Sequence, residues 1–171
     1  MKKLSIIIFL FFAFGNNIFA ETPHYLDFKL ILNQSDAGKK AQKYLKNKLE
    51  NGLKDIKNKQ KKILEDEKKL IQQKKILSNE DYKSQVTELR SKVSSLQKER
   101  NSLMQSVAKQ RSKAKNELLK NLNPIVKNFM KENKIRMVID KKDVLLADDE
   151  LNITNEIMKL LNKNLKSINL N

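Results

Sequence analysis

A seven-residue repeat of apolar side chains, in a segment without proline, constrains this chain more than any other feature. Residues 35–121 contain no proline, and their only glycines are Gly38 and Gly52. Apolar side chains seven residues apart form one stripe on an α-helix, and such a stripe becomes buried when it pairs with a second helix. The first half of the segment carries this stripe at Leu49, Ile56, Ile63, Leu70 and Leu77.

The repeat resumes after a short polar interruption, which predicts a turn and a second helix. Ser78 is a favourable N-cap, and Glu80 and Asp81 place negative charge in the first turn, where the helix dipole favours it. Two helices of similar length joined by a short turn predict an antiparallel hairpin, roughly 60 Å long. The second helix carries two apolar heptad positions, one at Tyr82, Leu89, Leu96 and Leu103 and the other at Val86, Val93, Val107 and Ala114.

The predicted seam between the two helices is weak. On the first helix, the second heptad position is apolar at Leu53 but polar at Gln60, Glu67 and Lys74, and Arg100 interrupts the seam of the second helix. Such a seam buries few apolar contacts, and we therefore expect a flexible arm.

The two predicted helices also carry the excess positive charge. Residues 39–76 contain 14 lysines and five acidic residues, and residues 79–121 contain ten basic and five acidic residues. The rest of the chain beyond residue 20 is close to neutral. Such basic arms could attract an anionic membrane surface, acidic protein segments or nucleic acid, or could simply be solvated.

The first twenty residues have the layout of a cleaved secretory signal peptide. Lys2 and Lys3 precede the apolar run LSIIIFLFFAFG, and the segment ends on Ala20. The run is short for a helix that must span about 30 Å of hydrocarbon, although an uncleaved membrane anchor is the alternative. Export argues against nucleic acid as a partner. The chain has no cysteine, so no disulfide can stabilise it.

The two ends of the chain have the character of short strands. TPHYLD at residues 22–27 is partly apolar, and IRMVID at residues 135–140 is rich in β-branched side chains. VLLAD at residues 144–148 follows after a polar loop of hairpin length, so the last two segments predict a β-hairpin.

Short helices are expected around this hairpin. Asn123 can cap a helix and Pro124 fits its first turn, which predicts that a short helix restarts there. Thr154 can cap a final helix. Three short strands and a few short helices bury very little without disulfides, so we expect the body to form a closed homo-oligomer.

These features, in this order, resemble the Skp/OmpH family of periplasmic chaperones. The resemblance is carried by the export signal, by LDFKLILNQSDAGKKAQ at residues 26–42 and by NPIVKNFMKENKIRMVIDKKDVLLADDELNITNEIMKLLNK at residues 123–163. It implies a mainly α fold with a small β body, in which short strands form a central barrel in a homotrimer. The long antiparallel coiled-coil hairpins would extend from the barrel around a cavity. The strands that match the barrel would be residues 25–27, 135–140 and 144–146.

The resemblance also implies a domain organisation and a function. The signal peptide would be residues 1–20, the oligomerisation body residues 21–34 and 122–171, and the arm residues 35–121. The function would be that of a periplasmic holdase, which binds unfolded outer-membrane proteins between its basic arms without ATP. The alternative is a structural coiled-coil protein of the cell envelope, with its arms bound to anionic lipid or wall polymer.

Two sets of residues are expected to carry this function. The client-binding basic surface of the arm would comprise Lys57, Lys61, Lys62, Lys68, Lys69, Lys74, Lys75, Arg90, Arg100 and Arg111. The oligomerisation body would use Tyr25, Leu26, Ile135, Met137, Val138, Ile139, Val144, Leu145 and Leu146.

The sequence predicts neither an enzyme nor a bound cofactor. His24 is the only histidine, with no cysteine or second histidine to share a metal ion. The acidic residues 148–150 are consecutive and predict a solvated linker rather than a cation site. SDAGKK at residues 35–40 lacks the first glycine of a phosphate-binding loop and has Lys40 where that loop needs Ser or Thr. Gly38 is therefore expected to allow close packing at the base of the arm.

Overall fold

The structure of the chain is a computed structural model that describes residues 22–170. The predicted signal peptide, residues 1–20, lies outside the described residues. No helix within residues 22–170 has the length and apolar character of a membrane span. The elements in chain order are β1 (His24–Leu26), α1 (Phe28–Gln34), α2 (Asp36–Gln73), α3 (Asn79–Glu132), β2 (Val138–Asp140), the 3-10 turns Lys141–Asp143 and Asp149–Leu151, and α4 (Thr154–Asn164).

Helices α2 and α3 form the predicted hairpin, and the two predicted serine caps are confirmed. The Ser35 hydroxyl accepts a hydrogen bond from the backbone N–H of Gly38 at 3.1 Å, and the Ser78 hydroxyl accepts one from Asp81 at 3.1 Å. Each bond satisfies a backbone donor that the first turn of a helix leaves free. Ser35 lies directly between α1 and α2, so the two helices meet at one buried residue.

Helix α3 corrects the prediction of a short helix that restarts at Asn123. The helix runs without a break from Asn79 to Glu132, with Pro124 in its interior. Proline lacks a backbone N–H and normally costs about 3 kcal/mol there. Leu118 and Leu122 are buried in the body on one side of the proline, and further apolar residues of α3 pack there beyond it. This burial outweighs the local cost, so one continuous helix joins the arm to the body.

The β-structure corrects the predicted hairpin. Strand β1 pairs with β2 in parallel, with Tyr25 opposite Ile139, and residues 144–146 form no strand. The expected polar loop is a 3-10 turn, Lys141–Asp143, whose Lys142 N–H donates a hydrogen bond to the Asp140 carboxylate, but the residues after it do not return to pair with β2. The parallel pairing is possible because the long helical hairpin is the crossover connection between the strands.

Both predicted strands that do form have shifted limits. The strand expected at residues 25–27 is His24–Leu26, because the Asp27 carboxylate instead caps α1 by accepting a hydrogen bond from Leu30 N–H at 2.7 Å. The strand expected at residues 135–140 is reduced to Val138–Asp140.

The body has one small apolar core between α1, the end of α3 and α4. Thr154 is the first residue of α4 rather than its cap, and its hydroxyl accepts a hydrogen bond from Asp27 N–H at 2.8 Å. The Asn152 side chain accepts the hydrogen bond from Thr154 N–H in its place. The buried residues of this core are Leu26, Ile31, Leu118, Leu122, Ile153, Ile157 and Leu161.

Candidate functional site

The arm is held together by the predicted heptad seam, which is closed in some layers and open in others. Ile56, Leu70 and Val107 are buried, whereas Val93 is exposed. The polar seam residue Lys74 stands over the ring of Tyr82 at 5.9 Å, a cation–π contact in place of an apolar one. The seam is therefore interrupted at individual layers, and the polar heptad position Lys74 is one of them.

One flank of the seam is bridged by ion pairs across the hairpin. Lys59 Nζ lies 2.8 Å from a carboxylate oxygen of Glu99, and Lys92 Nζ lies 3.2 Å from Asp66 Oδ2. Lys92 also contacts Glu88 within α3 at 3.0 Å. These hydrogen bonds, first to Glu88 and then to Asp66, raise the pKa of Lys92 above its ordinary value.

The other flank is an open apolar groove. Asp66 precedes the seam position Glu67, whereas Ile71 follows the seam position Leu70, so Asp66 and Ile71 flank the seam on opposite sides. On the side of Ile71, a groove of about 380 Å³ runs between the helices. Ile71 is 62% exposed there. The groove is lined by Ile63, Glu67, Leu70, Ile71, Tyr82, Val86, Leu89, Arg90 and Val93.

All ten basic residues expected to bind clients are exposed. Among residues 22–170, none of the ten takes part in an ion pair, so their charges are not neutralised by a direct contact. The structure brings only Arg90 and Lys74 to the apolar groove; the others are spread along the arm. This arrangement is a distributed positive surface rather than one binding pocket.

A second groove, of about 910 Å³, lies at the root of the arm between α1, α2 and α3. Its floor is apolar, and its rim is basic. Arg111 of the expected set belongs to this rim, but the sequence analysis missed its neighbours Lys39, Lys43, Lys46 and Lys115. The arm also carries exposed apolar side chains, of which Leu64, Ile71 and Met104 directly follow seam positions of the heptads.

The residues expected in the oligomerisation body divide into two groups. Tyr25 and Leu26 are buried within the single chain, and Ile135 and Val138 pack against its core; Val144 is partly buried. The remaining four are exposed apolar residues, and two of them are almost fully exposed: Met137, Ile139, Leu145 (96%) and Leu146 (91%).

Tyr25 also links the strand to the second 3-10 turn. Its hydroxyl donates a hydrogen bond of 3.5 Å to Asp149 Oδ1. Burial of the ring, followed by the negative charges of Asp149 and Asp148, raises the pKa of Tyr25 above its ordinary value. Within residues 22–170, no cluster of three or more His, Cys, Asp or Glu side chains could hold a metal ion.

Comparison with protein families identifies the family to which the chain belongs. The family model described as outer membrane protein (OmpH-like) matches residues 24–161, which include both ends of the body and the whole arm. The chain belongs to the OmpH-like family. The resemblance seen in the sequence is therefore confirmed, and OmpH-like chaperones are not a class of enzymes.

A solved structure shows the OmpH-like fold. The crystal structure of a candidate outer membrane chaperone (OmpH-like) from Caulobacter crescentus CB15 superposes with a TM-score of 0.79 at 18% identity. The match covers 86% of this chain and 89% of the other. No curated protein matches the sequence.

Proposed function

We propose that the protein is a periplasmic holdase chaperone, which binds unfolded outer-membrane proteins between basic helical arms and prevents their aggregation without ATP. Its export would depend on a cleaved signal peptide at residues 1–20. The observation that carries the proposal is the combination of OmpH-like membership with a long arm on which the ten basic residues of the client-binding set are exposed and, within residues 22–170, form no ion pair.

The charge of the arm supports a role in the encounter with clients. Residues 39–76 and 79–121 together carry 24 basic and ten acidic residues, and no basic residue of the client-binding set is neutralised by contact within residues 22–170. An extended positive surface raises the association rate of acidic polypeptides, and dissolved salt screens this attraction over about 10 Å.

The open flank of the arm supports retention of the client after the encounter. Ile71 and Val93 are exposed beside the partly open layers formed by Glu67 and Tyr82. An unfolded membrane protein exposes apolar strands, and burial of apolar surface is worth about 25 cal/mol per Å² whatever its sequence. Many weak contacts of this kind would hold a client without selecting one sequence.

The exposed apolar residues of the body support association into a homotrimer. Exposed Met137 directly precedes β2, exposed Ile139 lies within it, and Leu145 and Leu146 follow shortly after it. Four large apolar side chains of this kind on a small body are typical of a subunit interface. In a homotrimer, three arms would enclose a cavity in which a client is isolated from other clients.

Light scattering of a diluted, urea-unfolded outer-membrane protein tests the proposal. Stoichiometric trimer is expected to suppress aggregation at low salt without ATP, and to suppress it less at high salt because the encounter is electrostatic. Unchanged aggregation at low salt would contradict the proposal.

A pair of charge-matched variants tests whether client capture depends on the basic residues of the arm. Reversing Lys61, Lys68 and Lys75 to Glu is expected to slow client capture at least several-fold. Reversing Lys127, Lys159 and Lys163 to Glu changes the net charge equally but lies in the body, and capture should be affected much less. All six lysines are exposed, so neither variant perturbs the core. Equal loss of capture in both variants would show that only net charge matters.

A further inference from the structure

The segment after α4, residues 165–170, returns along the root of the arm without forming a helix or strand. Leu165 and Ile168 pack against the core of the body. Leu170 lies beyond that core and is only 5% exposed, although it belongs to no regular element. We call residues 165–170 the strap.

Leu170 fills a socket made by both helices of the arm. Its side chain is buried with Ala41 and Leu45 of α2 and with Val107 and Ala114 of α3. Ala41 and Ala114 are small residues within a row of larger apolar ones, so the two helices leave room for a side chain from a third segment.

The main chain of the strap is held as well as its side chain. Gln110 Nε2 donates a hydrogen bond of 2.7 Å to the carbonyl oxygen of Leu170. Gln110 Oε1 accepts a hydrogen bond of 2.9 Å from Lys48 Nζ, which also contacts Ser106. Gln110 is therefore fixed by α2 and offers a donor to any main-chain carbonyl in the socket.

Between its two ends, the strap is held by the apolar packing of Ile168 and by a surface ion pair. Lys166 forms an exposed ion pair of 3.3 Å with Asp36, a type of contact that contributes little. A groove of about 300 Å³ remains between the strap and α3, lined from both sides, for example by Lys113 of α3 and Ser167 of the strap. Because residues 165–170 belong to no helix or strand, release of Leu170 from the socket would break no regular element of the fold.

We propose that this socket is a client-binding site, which the strap occupies in the free protein and which an extended apolar segment of an unfolded polypeptide takes over. The inference rests on the proposed function and adds a specific site to it. The socket accepts an irregular segment through one apolar side chain and one carbonyl group, and every unfolded membrane protein offers both.

Competition by the strap has a predictable effect on affinity. A client can use the socket only in the fraction of molecules in which the strap is released, so the apparent affinity is lower than the intrinsic affinity by that fraction. The strap would thus reject weakly apolar segments and would release as a strongly apolar client binds.

Two variants at one position test the competition. Leu170→Ser empties the socket, whereas Leu170→Met keeps it filled because the two side chains have similar volume. Binding of a fluorescent, urea-unfolded outer-membrane protein is measured by anisotropy. Leu170→Ser is expected to bind several-fold more tightly than the unchanged protein, and Leu170→Met equally tightly. Equal affinity of all three proteins would overturn the inference and leave the proposed function intact.

Methyl NMR of the unchanged protein gives an independent result that needs no destabilised variant. The Leu170 methyl signals, assigned by their absence in Leu170→Met, are expected to move to solvent-like positions when the client is added. Signals that stay unchanged at saturating client would overturn the inference. If no client binds to any of the proteins, the proposed function itself fails, and the inference fails with it.

Discussion

At the scale of single residues, a few side chains decide how the arm leaves the body. Gly38 lies in the first turn of α2, where α1 passes so close that a Cβ atom would be 2.1 Å from the backbone oxygen of Leu32. Gly52 lies farther along α2, where a Cβ atom would be 2.5 Å from a methyl group of Leu103. A Cβ atom at Gly38 would therefore clash with backbone, whereas a Cβ atom at Gly52 would meet only the end of a flexible side chain.

Gly38→Ala is therefore expected to destabilise the protein by about 1–3 kcal/mol, because the α1–α2 junction must move apart. Gly52→Ala is the matched control. Leu103 can turn aside, and alanine gains about 1 kcal/mol of helix preference over glycine, so the net change should be small. Urea unfolding of both variants measures the difference, and equal destabilisation would show that the α1–α2 approach is not tight.

The raised pKa of Tyr25 predicts that the folded protein loses stability in alkaline solution. Its pKa is raised in the folded chain, mainly by burial and then by Asp149. The neutral hydroxyl is therefore favoured by folding, and its contribution is fully present below the unfolded pKa of about 10 and disappears as the pH rises through the raised pKa.

Tyr25→Phe cannot ionise and should lose less stability than the unchanged protein between about pH 8 and about pH 11. Urea midpoints at both pH values measure this difference, and the deprotonation of lysines cancels because it is common to both proteins. If both proteins lose the same stability over this pH range, Tyr25 becomes accessible to water before it ionises.

At the scale of elements, the two flanks of the arm differ, since one is bridged by ion pairs and the other carries the apolar groove. Ion pairs such as Lys59–Glu99 join the helices on one side, whereas the polar seam residue Glu67 leaves the apolar groove open on the other. The groove is therefore a consequence of the polar residues that weaken the heptad repeat.

Glu67→Leu is expected to close this part of the seam against Leu89 and to stabilise the outer arm by about 1 kcal/mol. Slower hydrogen exchange of amides between residues 60 and 96 would show the effect. Glu65→Leu is the matched control, because Glu65 is exposed on α2 and lies away from the groove lining. If both variants slow exchange equally, the gain comes from helix propensity or lost charge rather than from the seam.

At the scale of the whole molecule, one chain buries a small core and leaves apolar residues of the body in water. Leu145 and Leu146 follow the 3-10 turn at Lys141–Asp143 and are exposed in the single chain. If these residues are covered by neighbouring subunits, each should contribute roughly 1.5–3 kcal/mol to association.

Leu145→Asp combined with Leu146→Asp is expected to convert a trimer into monomers, as measured by analytical ultracentrifugation. Leu64→Asp combined with Ile76→Asp is the matched control, since both residues are exposed apolar side chains of the arm; this variant should stay trimeric. A monomeric unchanged protein would contradict the barrel and the cavity together.

The sequence predicts the long elements well because their signals are local. Caps at Ser35 and Ser78 act within one helical turn, and the heptad stripe needs only its own periodicity to indicate a helical partner. Even the weak layers of the arm could be read from Gln60, Glu67 and Lys74. The ten basic residues of the arm were expected to be exposed, and they are; whether they bind clients stays a prediction.

The body was predicted less well because its signals depend on distant partners. Residues 144–148 have strand propensity, but a strand forms only where it pairs with a neighbour, and within the described chain β2 pairs with the distant β1 instead. The buried leucines around Pro124 outweigh the local preference of proline to break the helix.

By itself, the sequence determined a basic helical hairpin with a defined turn, since periodicity, capping and charge are properties of neighbouring residues. Only the tertiary structure decided the parallel strand pairing, the continuous α3 and the burial of Leu170 between Ala41 and Ala114. Each of these depends on apolar side chains and backbone groups that are far apart in the chain and become neighbours only when the hairpin returns to the body.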